Sequence, residues 1–231
     1  MARLLLLALV CLLAAPGAVA VEATTKEPQS TRETRCAHGQ VLVRSEDGSN
    51  SSIVCGAARD AVAFLESQGL RAPAEVSIEV ARKLPVVAGP SAAGCYLKRE
   101  NRVIVLGYAE FKDFGSWFGL PIDRDLYRSL IVHEVAHAVG ACNFGVEFPP
   151  IEATEYVAYV TMFATMDPSL RAHALAQFPG EGYDKEAEIN STIYMLDPMR
   201  FGTQAYRHYL KPGNGREFLR AVVEGRVVKG D

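Results

Sequence analysis

The chain is expected to fold as an α+β protein, a small N-terminal sheet with one helix followed by a helical part. Three observations predict this. Strand-like apolar patterns (Val41 and Val43; Val76, Ile78 and Val80; Val103 to Leu106) are confined to the first half. After Tyr108 nearly everything reads with helical spacing, broken at Gly115, Pro121, Gly140, Pro149-Pro150, Pro168, Pro179-Gly180, Pro198 and Pro212-Gly213. No internal repeat is visible, so strands then helices form one arrangement rather than an array.

Residues 1–20 read as a signal peptide. Arg3 supplies a short positive start, Leu4 to Leu13 an apolar run, and Ala18-Val19-Ala20 a small-x-small site that predicts cleavage before Val21. A transmembrane anchor needs about 20 uninterrupted apolar residues, and Pro16-Gly17 break this run. The bulky Val10 before Cys11, inside the apolar run, argues against lipidation. Residues 21–35 are polar and are expected to be a flexible leader, with 36–231 a single domain.

Within that domain Gln40 to Ser45 alternates as a strand, and Ser45 to Asn50 is a turn. Ala58, Ala61, Val62 and Leu65 give helical spacing over Ala57 to Gln68, with Gly69 as its stop. Val76 to Val80 is the next strand. Tyr96 to Lys98 and Val103 to Leu106 form a hairpin around Glu100-Asn101. Asn50-Ser51-Ser52 and Asn190-Ser191-Thr192 match the glycosylation pattern but read as polar turn residues.

The 231 residues carry a formal net charge of −3, which lacks the basic footprint of a nucleic-acid binder. No later segment is apolar enough to span a bilayer, so no membrane anchor is expected after signal cleavage, and the protein is expected to be secreted or periplasmic. Setting Cys11 aside leaves Cys36, Cys55, Cys95 and Cys142. An even count in an oxidising compartment predicts two disulfides. Of the three pairings, Cys36–Cys55 with Cys95–Cys142 is favoured, because the first closes a short local segment. No pair has the Cys-x-x-Cys spacing of a zinc site.

His133-Glu134-Val135-Ala136-His137 lies inside a helix predicted from Asp123 to Val139, capped by Asp123 and stopped by Gly140. Four residues make slightly more than one turn, so both imidazoles project from one face and can share a metal ion. Glu134 sits on the adjoining face, within reach of a water on that metal. The competing reading is a pair of core histidines around a surface glutamate. A catalytic zinc needs a third protein ligand and an open position. Glu147, Glu152 and Glu155 are near in sequence. The last two share one face of a helix predicted from Ile151 to about Met166, which a short loop can lay against the first. Periodicity does not choose between them.

His-Glu-Val-Ala-His, followed 18 residues later by Glu155-Tyr156-Val157-Ala158 on the next helix, resembles the gluzincin-type zinc metallopeptidases. The chain also looks like small secreted bacterial zincin-like proteins of unassigned function. The specific likeness covers residues 123–166. It implies that His133, His137 and Glu155 bind Zn2+ and that Glu134 is the catalytic base. Tyr159 stands where thermolysin-like members place an acidic residue, and the third histidine of metzincins is missing. Burial adds to the choice of Glu155: Glu152 lies in the first turn, where the helix dipole favours a carboxylate anyway, whereas Glu155 sits deeper among Tyr156, Ala158 and Tyr159 and needs a partner. Tyr206 and His208 are possible oxyanion donors, though either alone reads better as a core or surface aromatic. The expected function is therefore an exported zinc-dependent hydrolase acting on a peptide or protein substrate. The alternative is a zinc-binding assembly protein of the cell envelope without turnover.

Overall fold

The computed structural model describes residues 31–37, 39–46 and 48–230. The signal segment, its cleavage site and the leader up to residue 30 lie outside them. Strands β1 (Arg32–Arg35), β2 (Val41–Ser45), β3 (Val76–Ala81), β4 (Gly94–Leu97) and β5 (Arg102–Leu106) form one mixed sheet in the order β1-β2-β3-β5-β4. β2, β3 and β5 run parallel, and the two edge strands are antiparallel to their neighbours. The expected leader is thus too long at its C-terminal end. Arg32-Glu33-Thr34-Arg35 has no apolar alternation to announce a strand and forms one by pairing with β2, and charged residues of this kind also protect an edge from further pairing.

Alternation gives the sheet two faces. Val41, Val43, Val76, Ile78, Val103 and Val105 bury one face against helices. The other carries charges that pair across strands: Arg44 Nε donates to Glu33 Oε1 at 2.7 Å, and Arg102 bridges Glu79 and Glu100. The inner face meets α1 (Ser51–Ser67) and α3 (Arg124–Ala141), with the short α2 (Tyr108–Lys112) between them in sequence. Behind these lies α4 (Ile151–Thr165), followed by α5 (Pro168–Gln177), α6 (Ser191–Leu196), α7 (Pro198–Leu210) and α8 (Gly215–Val223). The α+β reading, sheet first and helices after, is the architecture observed.

Two helix limits differ from expectation. α1 begins at Ser51, because the weak helix formers Ser51, Ser52 and Gly56 are carried by burial of Val54 and Ala57. α3 runs through Gly140, which packs against Phe144 instead of ending the helix; a Cβ there would lie 3.3 Å from Phe144 Cε2. The Asn143 amide ends the helix by donating to the Val139 carbonyl at 2.7 Å. Asn190 Oδ1 accepts from Ile193 N at 3.0 Å, which makes it a helix cap.

The stretch after Tyr108 is not wholly helical. Strands β6 (Ser116–Trp117) and β7 (Leu120–Pro121) make a small hairpin. Its turn residues Phe118 and Gly119 have φ of 51° and 72°, the double positive φ of a type I′ turn. A left-handed Phe costs about 1–2 kcal/mol. Full burial of its ring against Phe163 and Phe178, at 5.2 and 6.0 Å, outweighs that cost, since burying a Phe is worth about 1.5–3 kcal/mol.

Cys36 and Cys55 are bonded, tying the sheet to α1 across a sequence separation of 19; a loop of that size stabilises by about 3 kcal/mol. The expected Cys95–Cys142 bond is absent, and both are free thiols. Strand alternation is the reason. Tyr96 pairs with Val103 on the helix-facing side of the sheet, so its neighbour Cys95, opposite Ile104, belongs to the other side. Cys142 Sγ instead donates to Ala138 O at 3.5 Å on its own helix. No helix among the described residues is long and apolar enough to cross a membrane.

Candidate metal centre

α3 supplies the first half of the site. Asp123 Oδ1 accepts from Asp125 N and Leu126 N at 3.0 and 2.8 Å, fixing the first turn. From Leu126 to Gly140 the helix is almost continuously buried, so His133, Glu134 and His137 are presented from a rigid element inside the molecule. α4 supplies the other half. Every residue from Glu155 to Phe163 is buried, so this helix is enclosed on all sides. Tyr156, Val157, Val160, Met162 and Phe163 are essentially unexposed, each worth about 1.5–3 kcal/mol on burial. Together they outweigh the several kcal/mol it costs to carry the Glu155 carboxylate inside.

The three groups converge. His133 Nε2 lies 3.2 Å from His137 Nε2 and 3.3 Å from Glu155 Oε2, and His137 Nε2 lies 3.4 Å from Glu155 Oε1. One ligand atom from each of the three lies within 4.8 Å of the others, close enough for nitrogen and oxygen donors to share one small divalent ion. Glu155 Oε2 sits at ion-pair distance from His133 yet makes no hydrogen bond. The three side chains converge within the fold, so His133, His137 and Glu155 could hold a metal ion. His133 Nδ1 has no hydrogen-bond partner among the described residues. Its ring is held by Tyr159, whose centroid is 4.5 Å away, so the position where an acid was missing from the motif is used for ring packing.

Electrostatics follow from burial and from Glu155. Burial pulls His137 down to about 4, against the pull of the Glu155 carboxylate. Burial works the same way on His133, but contact with Glu155 outweighs it and the net direction is up. Burial pushes Glu155 up, and the two imidazoles with the Tyr194 hydroxyl more than reverse this. Burial raises Glu134 to about 7. Its carboxylate lies against Gly94 of β4, where a Cβ would stand 2.5 Å from Glu134 Cγ and 2.7 Å from Oε1.

All four residues line a cleft of about 920 Å3. Its walls include Gly94 to Tyr96 of the edge strand, Tyr159 of α4, and Tyr194 to Leu196 of α6. The residues expected to act together, His133, Glu134, His137 and Glu155, are together. Glu152 is buried but lies near Gly230, with its Oε1 3.9 Å from a Cβ placed there, and among the described residues the ion-pair partner of both histidines is Glu155. Glu147 offers its backbone carbonyl to Lys98. Tyr206 and His208 line no part of the cleft: Tyr206 stacks on Phe163 at 5.5 Å, and His208 Nδ1 pairs with the Tyr156 hydroxyl at 2.8 Å. Tyr194 and Gly94 carried no sequence signal. Tyr194 lies in a six-residue helix between polar loops, and Gly94 is one of 19 glycines.

Fold and site together define an α+β protein with a His, His, Glu group, competent for a metal, shared by two buried helices. The chain belongs to a family of unknown function, DUF6639, whose profile matches residues 41–230. No curated protein and no solved structure matches it.

Proposed function

We propose that the protein is an exported zinc-dependent hydrolase of peptide bonds. The observation that carries this is the convergence of two imidazole nitrogens and one carboxylate on a point in an open cleft, with a fourth side chain, Glu134, beside them but outside the ligand set. Three protein ligands facing a cleft are the pattern of a catalytic site; a structural zinc is closed by four. Two imidazole nitrogens and one carboxylate suit zinc better than calcium or magnesium, which take oxygen shells of six or more.

A bound zinc ion supplies Lewis acidity to the scissile carbonyl and to the attacking water. Glu134 takes the proton from that water and returns it to the leaving amine, so one carboxylate serves as base and then acid. Gly94 lets the edge strand approach Glu134 closely. β4 is hydrogen-bonded on one side only among the described strands, so its free edge is available to pair with an extended peptide. Tyr194 also lines the cleft, near enough to Glu155 for each to shift the other, and is a candidate to steady the developing oxyanion. Export is supported by the N-terminal pattern and by the Cys36–Cys55 bond.

The test is metal analysis of the purified protein with a peptide-library digest, run beside Glu134→Gln. One zinc per chain in both proteins, with cleavage by the wild type alone, is expected. Zinc without cleavage by the wild type would leave a binding protein, and absence of zinc would overturn the reading.

A further inference from the structure

The chain has one tryptophan, Trp117, and it lines the metal cleft. It is put there by the β6–β7 hairpin, whose left-handed Phe118 persists because its ring is locked in the core. Trp117 meets Phe118 at 4.9 Å, Phe118 meets Tyr159 at 6.0 Å, and Tyr159 meets His133 at 4.5 Å. A continuous path of rings therefore runs from a metal ligand to Trp117. Phe111 meets Trp117 at 5.7 Å and Phe114 at 6.1 Å, and Met199 Sδ accepts from Phe118 N, so these rings and thioether extend the apolar surface of a lining that also includes Leu130, Phe144 and Ile151. The lining also carries apolar groups well open to solvent, with Met195 and Leu196 at 70% and 81% exposure. Contiguous exposed apolar surface of this kind marks a place where something binds.

Outside the metal group, the charged side chains of the lining are Lys98 and Asp197. Both are engaged. Lys98 donates to the Glu147 carbonyl. Asp197 caps α7 through Arg200 N at 3.0 Å and pairs with Arg200 Nε at 3.4 Å. Asp197 is compensated by Arg200 and Lys98 is tethered to a carbonyl, so beside the metal group and Glu134 the lining presents no unengaged charged side chain to fix a free chain end.

We infer that the cleft takes an extended, internal stretch of polypeptide and seats a bulky apolar side chain against Trp117. This rests on the hydrolase reading for its consequence, cleavage beside such residues. Apolar side chains on an extended, unpaired backbone are offered by unfolded chains and peptides, because folded proteins bury theirs. The substrate class is therefore unfolded or peptidic, rich in aromatic and long aliphatic residues, and cut away from its ends.

Trp117 fluorescence reads this without turnover. Zinc-loaded mature Glu134→Gln protein is titrated with acetylated, amidated hexapeptides centred on Phe-Leu, Ser-Gly or Glu-Lys. The Phe-Leu peptide is expected to shift the emission saturably, at a concentration about 10-fold or more below the others. Equal binding of the Ser-Gly or Glu-Lys peptide, or binding that needs a free terminus, would overturn the inference. A digest of an unfolded protein by the wild type separates the two readings. Phe-Leu binding with no cleavage removes the hydrolase and leaves the cleft assignment standing. Cleavage only between small or charged residues keeps the hydrolase and removes the inference. Trp117→Leu, checked for native circular dichroism, should broaden the cleavage pattern; an unchanged pattern also counts against it.

Discussion

The crevice at the carboxyl ends of parallel β2, β3 and β5 encloses about 340 Å3 and is lined by Ser45, Glu46, Arg82, Tyr108, Glu110 and Arg124. Open sheets with parallel strands commonly bind ligands at such a place. Here two of its charges pair and a third lies over a ring: Arg82 Nε donates to Glu46 Oε2 at 2.8 Å, and the Arg124 guanidinium lies 4.8 Å from the centre of the Tyr108 ring. The cleft at the antiparallel edge is the reverse case. Two imidazoles and a carboxylate lie within 3.4 Å of one another, nearly buried, and yet leave Glu155 Oε2 and His133 Nδ1 unbonded. Charge satisfaction, and not position relative to the sheet, separates the place that holds itself together from the place built for something else.

The largest expected effect falls on the three converging side chains. His133→Ala, His137→Ala or Glu155→Gln should each weaken metal binding by more than about 100-fold, beyond the 10- to 100-fold loss typical when a residue merely supports a ligand. Competition with a chelator checks this. Glu152→Gln should bind metal as the wild type does; if it loses metal while Glu155→Gln keeps it, the two roles exchange. Zinc at about 1,000 times its Kd should add about 4 kcal/mol to folding stability. For a domain of this size that raises the Tm by about 8–16 °C, read by calorimetry with and without chelator. No shift would mean that the converging atoms hold no ion.

Next comes the contact between sheet and metal group. Gly94→Ala puts a methyl 2.5 Å from Glu134 Cγ, so Glu134 must move. Hydrolysis should fall by about 10-fold or more while the metal stays, because a misplaced general base loses its contribution of about 10²–10⁴. Loss of metal in this variant would show that β4 positions the ligands as well.

Much of this was legible beforehand, and what was not has a physical cause. α3 announces itself through Asp123 and its apolar turns, and α4 through the proline pair before it and the apolar run after it. Burial does not separate Glu155 from Glu152, which are 8% and 3% exposed; the Glu-x-x-Ala likeness favoured Glu155, and it is Glu155 that reaches the histidines. β1 was hidden because pairing, not side-chain pattern, makes it a strand. The Cys95–Cys142 expectation failed because parity of cysteines says nothing about which face of β4 Cys95 occupies relative to the end of α3. Tyr194 and Trp117 come to the site through a short helix and a tight hairpin, whose positions depend on tertiary packing that local spacing does not encode.

Tyr194→Phe removes the hydroxyl of a residue that lines the cleft and helps hold the Glu155 carboxyl below its ordinary value. If it acts on the oxyanion, kcat should fall by about 10²–10³ with metal affinity kept. If it only supports Glu155, chelator competition should show a metal loss of about 10- to 100-fold. The two readouts assign its role. On the other side of the comparison, Arg82→Ala should change neither metal affinity nor hydrolysis, and should cost under about 1 kcal/mol, since its ion pair is exposed. A clear loss of hydrolysis there would mean that the small crevice is not merely structural.

The smallest effect concerns Asp60, which stands for the satisfied charges between the two regions. Asp60 on α1 meets Arg128 on α3, and Arg128 Nη1 also donates to the Thr165 carbonyl at the end of α4 at 3.2 Å. Burial pushes the Asp60 carboxyl up, but Arg59 and Arg128 outweigh this and hold it below its ordinary value. The sign follows. A depressed carboxyl stabilises the fold above its unfolded pKa of about 3.9, and the stabilisation is lost as pH falls through the lower folded value. Asp60→Asn should therefore cost about 1 kcal/mol at neutral pH. The difference from wild type should shrink as pH falls below about 4, where the wild-type carboxyl protonates as well. Urea unfolding at pH 7 and at pH 3 measures both. Arg128 lies on the same helix as His133, so the variant also asks whether this ion pair positions the metal group. Unchanged zinc affinity at neutral pH is expected, because the α3–α4 contact is carried by apolar packing. A fall in affinity alongside the stability loss would instead make the ion pair part of what holds His133 and Glu155 in register.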